Sequence, residues 1–237
     1  MKFKNHTFEM KSLLCLVLFA FEWAHSYEVL PYVAFLEFDE YFCTGILIGN
    51  RNLATAASCL CQDEPKVFFN RNTKFSYSQD EYYVDKIALH SSFEGRKGCE
   101  NTKNGALIDV QHTDGDDIGI ISLTLPPVVR KDIEISRVNF DVSPYSEKQY
   151  AMVGYDAISG NFNLDFGKPV RCADYFKENP ICISSQHVHF TGGSIIHGFS
   201  YNYGILAGSF VKDFSNEKIS IFSNFQHQRE FVTNYLF

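Results

Sequence analysis

The stretch FCTGILIGNRNLATAASC, Phe42–Cys59, decides the fold. Two apolar runs, Ile46–Ile48 and Leu53–Ala57, are divided by Gly49-Asn50-Arg51-Asn52. Apolar runs split by Gly/Asn turn residues read as a hairpin of buried strands. Cys43 and Cys59 stand at its two ends, where a disulfide would staple it shut.

The same stretch resembles the first hairpin of the chymotrypsin-like (trypsin-like) serine endopeptidases, whose pattern runs F-C-G-G-[ST]-L-I and then T-A-A-H-C. Here the second half reads Thr55-Ala56-Ala57-Ser58-Cys59, with Ser58 where the family has its histidine. Further matches follow in order. Pro31–Glu37 resembles the first barrel strand, and Val84–His90 the strand ending in a structural or solvent-facing histidine. Asp116–Leu123 resembles N-D-I-x-L-[IL]-x-L, with Asp117 at the position that orients the catalytic imidazole. Gln149–Gly154 leads to Gly154-Tyr155-Asp156 in place of G-W-G. Cys172–Tyr175 and Pro180–Ile183 match a paired-cysteine motif, and Phe190–Ile196 falls where G-D-S-G-G-P-[LI]-[VI] is expected. Tyr203–Ser209 fits the following strand. Arg229–Phe237 spaces Phe231, Val232, Tyr235 and Leu236 as one helical face, like the family's closing helix. The resemblance spans Pro31 to Phe237.

It implies an all-β fold of two six-stranded antiparallel β-barrels with a C-terminal α-helix. The first barrel is expected at about 27–125 and the second at about 143–237. The abundance of aromatic residues, 23 Phe and 13 Tyr, favours strands independently. Between them, Pro126–Val142 reads as the crossing. The segment 91–115 is polar and long for a loop of a compact domain, which marks it as a binding or moving element.

The N-terminus reads as an address. Leu13–Phe21 is apolar but too short to span a bilayer. Lys2, Lys4 and Lys11 precede it, and Ala24-His25-Ser26 supplies a small-x-small cleavage pattern, so residues 1–26 are expected to be a signal peptide and the protein secreted. Met10 gives that peptide a more usual start than Met1. Of seven cysteines, Cys15 would leave with it, and six in an oxidising compartment imply disulfides with fifteen possible connectivities. The resemblance implies Cys43–Cys59 and Cys172–Cys182, which leaves Cys61–Cys99. The net charge of −7 argues against nucleic acid or an anionic membrane as partner, because both need basic patches.

The chemistry of the family is where the sequence departs. The nucleophile position holds Thr191, whose extra methyl restricts χ1. The base position holds Ser58, which takes no proton near neutral pH, and losing a triad histidine costs about 10^6 in turnover in subtilisin, roughly 8 kcal/mol. The oxyanion position, glycine in the family, holds His189, whose side chain is expected to disfavour the peptide orientation that glycine allows, and one donor lost there is worth about 10^2–10^3. The position whose Asp pairs with a freed N-terminus holds Phe190, and no I-V-G-G activation sequence is present. The specificity-pocket position, Asp in trypsin-like members, holds Ser185. His187, His189 and His197 crowd this region. In extended chain His187 and His189 share a face about 6–7 Å apart, a spacing open to metal ligation or a substitute base. The plainer reading makes them polar residues filling the cleft.

The expectation is a serine protease homologue with a degenerate triad (Ser58, Asp117, Thr191), monomeric and without cofactor or metal. It would act by binding a protein or peptide, such as a protease or a protease's substrate or inhibitor. The competing expectation is a hydrolase with altered activity that uses Thr191.

Overall fold

The computed structural model describes residues 29–75, 80–95, 98–103, 106–107, 117–140, 149–156, 159–172, 180–185, 194–197, 201–211 and 218–237. The expected signal peptide lies outside them. In the first half, β1 (Val33–Glu37), β2 (Phe42–Leu47) and β3 (Asn52–Thr55) form a meander through the opening hairpin. They are followed by β4 (Lys66–Phe69), β5 (Glu81–Tyr82) and β6 (Val84–Leu89). The segment after His90 holds a short helix, α1 (Ser91–Gly95), a 3-10 turn at Gly98–Asn101, and a small hairpin of β7 (Thr102–Lys103) and β8 (Ala106–Leu107). Strand β9 (Gly119–Leu123) closes the half, giving a curled sheet of order β5-β4-β1-β2-β3-β9-β6.

The second half contributes β10 (Arg137–Val138), β11 (Tyr150–Tyr155), β12 (Phe162–Val170), β13 (Ile181–Ser185), β14 (Ser194–His197), β15 (Tyr201–Val211) and β16 (Lys218–Asn224). Their order is β10-β15-β14-β11-β12-β13-β16, with β15 pairing β16 as well. Helix α2 (Arg229–Thr233) stands in the expected place near the C-terminus but is shorter than the predicted 229–237, with Tyr235 and Leu236 beyond its last turn. Two details refine the expected pair of six-stranded antiparallel barrels. Among the described residues each sheet counts seven strands because a two-residue strand joins its edge, and β10 runs parallel to β15.

The strands form where the apolar runs are. Strands β2, β3, β9 and β11 carry almost no exposed residue, as strands covered on both faces require. One core spans both sheets, joining Phe35, Leu36, Ile46, Leu53 and Ile121 to Val153, Tyr155, Phe225 and Val232. Tyr155 is its hinge pin. Its ring meets Phe35 edge-on at 4.8 Å, its N–H donates to Thr44 Oγ1 at 2.8 Å, and its hydroxyl donates to the Arg71 carbonyl at 2.6 Å. The turn into β12 needs Gly160, whose φ of +69° is in the left-handed region that side chains disfavour.

Three disulfides form: Cys43–Cys59, Cys61–Cys99 and Cys172–Cys182. The second ties the 3-10 turn at Gly98–Asn101 to the end of the opening hairpin.

Candidate functional site

The opening hairpin leads the chain to the site. After β3, Ala56 is extended and Ala57–Leu60 form a buried 3-10 turn, held from behind by the Cys43–Cys59 bridge. Thr55 pairs with Gly119 across β3 and β9, which brings this turn beside the residues just before β9. Gly119 permits the approach: a Cβ there would stand 2.7 Å from Leu60 Cδ1 and 3.3 Å from Ala57 Cα.

Ser58 and Asp117 meet at that junction. The Ser58 N–H donates to Asp117 Oδ1 at 2.7 Å, and the Ser58 hydroxyl donates to Oδ2 at 2.9 Å. The Ala57 N–H is a further backbone donor to the same carboxyl group. Ser223, on β16, donates its hydroxyl to the Asp117 carbonyl oxygen at 3.1 Å. Both Ser58 and Asp117 are 1% exposed. Burial pushes the Asp117 carboxyl up to about 7, against the pull of the Ser58 and Ala57 donors toward the charged form. The pair can trade a hydrogen bond. Ser58 brings no imidazole to the pair, so a proton leaving an attacking alcohol would have only the buried Asp117 carboxyl to take it, a group that already accepts the Ser58 hydroxyl.

The structure locates several other positions that the sequence singles out. Ser185 ends β13, where its backbone pairs with Lys218 of β16. His197 ends β14 opposite Tyr201. Thr191, His187, His189 and Phe190 lie outside the described residues. His90 packs its ring edge-on against Phe231 of α2 at 5.1 Å, and its Nδ1 accepts the Ser92 N–H at 3.3 Å. Among the described residues no group of three or more His, Cys, Asp or Glu is arranged to hold a metal ion. No helix among them is long and apolar enough to cross a membrane.

The described part of the 91–115 segment lies against this site. Strand β8 lies against the Ala57–Leu60 turn of the first sheet and against β15 of the second, with Cα atoms within 8 Å of each. The small hairpin therefore reaches across the junction of the two halves above the turn that carries Ser58, and the Cys61–Cys99 bridge anchors its approach. Sequence reading missed Ser223. Its signal was a small polar residue within the apolar run of β16, which alternation alone does not tie to Asp117.

Two curled, almost wholly antiparallel sheets with a buried aspartate at their junction define a chymotrypsin-like double-barrel protein. The chain belongs to the Trypsin family, whose model matches residues 23–232. Among curated proteins no sequence match is found. Among solved structures, kallikrein-related peptidase 10 in complex with Zn2+ superposes with a TM-score of 0.65 at 12% identity, covering 86% of this chain and 95% of that one. A scabies mite inactivated protease paralogue gives 0.66 at 12%, covering 86% and 94%. A mutant of human heparin binding protein gives 0.66 at 14%, covering 87% and 91%. At such identities these likenesses establish the fold.

Proposed function

We propose that this chain is a secreted, non-catalytic member of the Trypsin family that works by binding a protein or peptide. The observation that carries the reading is the Ser58–Asp117 pair. The carboxyl that would orient an imidazole is bonded instead to a buried serine hydroxyl 2.9 Å away. Without an imidazole to take its proton, the threonine at the nucleophile position stays an un-ionised alcohol. In the same region of sequence, His189 puts a side chain where the family's glycine leaves the oxyanion-donating peptide free to turn, and Phe190 replaces the activating carboxylate. The β7–β8 hairpin above the Ser58 turn is the kind of element that narrows a substrate cleft while offering a new surface. The likeness to an inactivated protease paralogue supports the same direction. Three disulfides support secretion, being characteristic of chains that fold in oxidising compartments.

The test is turnover of a broad peptide-substrate library by the purified protein beside its Thr191→Ala variant. Both are expected to be silent. Cleavage by the natural chain that is lost in the variant would overturn the proposal and require another general base.

A further inference from the structure

Strand β9 has two ends. Asp117 sits just before one; at the other, roughly 20 Å along the strand, the chain leaves Leu123 and meets the corner where β5 passes into β6. The corner is fixed: the Thr124 N–H donates to the Tyr83 carbonyl at 2.9 Å and its hydroxyl donates to the same oxygen at 3.2 Å. A groove of about 590 Å³ opens here, lined by Tyr82, Tyr83, Thr124 and Leu125, with Asp80, Glu81 and Arg130 as its charged members. That volume is in the range of a pocket that takes a ligand side chain or two.

Two features say what would fill it. The first is apolar surface held out in water: Tyr83 is 71% exposed and Leu125 70%, with Val129 nearby in sequence at 82%. Tyr82 is braced from below, its ring edge-on to the buried Phe69 at 5.3 Å. Rigid aromatic and aliphatic walls around a groove favour an apolar anchor. The second is charge. Arg130 is already committed, pairing with Asp80 and gripping Asp132 through two bonds of 3.1 Å. Glu81 is exposed and has no ion-pair partner among the described residues. An incoming anion therefore finds the guanidinium engaged, while an incoming cation finds a carboxylate.

We infer that this groove is a docking site for a peptide segment of a partner protein that presents an apolar side chain next to a Lys or Arg. The site goes beyond the binding role proposed above and does not depend on it, because it lies on the opposite end of β9 from the Ser58–Asp117 junction.

The test uses nitrogen-15-labelled full protein and three amidated peptides, Gly-Lys-Phe-Leu-Gly, Gly-Glu-Phe-Leu-Gly and Gly-Lys-Ser-Ser-Gly, titrated by NMR. The first should shift the amides of Glu81–Tyr83, Thr124 and Leu125, and the acidic peptide should bind about fivefold to tenfold more weakly. The third, lacking the anchor, should leave those amides unmoved. Glu81→Lys should reverse the order of the first two peptides, and Leu125→Asp, an exposed position, should abolish binding with the fold intact by circular dichroism. Shifts confined to other surfaces, equal binding of the acidic peptide, or a dimer in sedimentation that Leu125→Asp dissociates would each overturn the inference. The last would assign the groove to a second copy of the chain.

Discussion

Asp117 keeps a carboxyl group out of water with hydrogen-bond donors alone among the described residues, and its neighbour Ser58 supplies two of them. Such a group binds its proton more tightly folded than unfolded, since its value is raised from 3.8 to about 7. Folding therefore favours the protonated form. Asp117 is least costly below pH 4, and its contribution falls as pH rises from about 4 to 7 and then levels. Comparing denaturant unfolding of the natural chain and Asp117→Asn across that window should show a difference of up to roughly 4 kcal/mol, growing with pH. A pH-independent difference would remove Asp117 as its source. Ser58→Ala deletes the hydroxyl donor and should cost about 1–3 kcal/mol. That cost should be larger at pH 8 than at pH 5, because the bond is charge-assisted once the carboxylate forms. The serine was legible in the sequence as a substitution. The hydroxyl's direct bond to the aspartate was not, because it depends on β3 and β9 bringing two residues 59 apart into register.

At the scale of elements, apolar runs marked most strands, since a run buried on both faces leaves its mark in composition. The opening hairpin, β9, β11 and α2 all lie where such runs or spacings stand. The 91–115 segment was legible as a long, polar binding or moving element, and its tie from Cys99 to Cys61 followed from the resemblance, but its internal elements were not. Its short helix, 3-10 turn and hairpin take their order from a disulfide and from packing on other elements, neither of which leaves a periodicity. Serine at both Cys61 and Cys99 should therefore cost stability, about 2–4 kcal/mol for a bridge closing a span of 38 residues. It should also speed hydrogen exchange at Thr102–Leu107 selectively; unchanged exchange there would mean that packing alone holds the hairpin. Helix α2 depends on a different cross-link. Asn52 Nδ2 donates to the Tyr235 carbonyl at 2.8 Å while its Oδ1 accepts the Ser122 hydroxyl at 2.8 Å. Asn52→Ala should cost about 1–3 kcal/mol and loosen residues 229–236 in exchange experiments.

For the whole molecule, the question is what would limit peptide turnover under the proposed reading, missing chemical groups or a junction between the halves that is not shaped for substrate. The fold keeps the scaffold of a hydrolase: two sheets sharing one core, with a buried aspartate at their junction. Ser58→His combined with Thr191→Ser supplies a base and a nucleophile to that scaffold. If chemistry alone were lost, an imidazole held by Asp117 would recover a measurable part of the factor of about 10^6 that a triad histidine carries. We expect the double variant to remain silent toward peptide substrates. Ser58 is 1% exposed beneath the β8 crossing, so an imidazole must displace packed groups to stand there. His189 still occupies the oxyanion position, worth another 10^2–10^3 or so. Adding the cysteine-to-serine changes at Cys61 and Cys99, which release the hairpin, separates the two explanations. Turnover appearing only then identifies the hairpin as the barrier, whereas turnover by the double variant alone would show a junction still open to substrate and sink the expectation of a closed one.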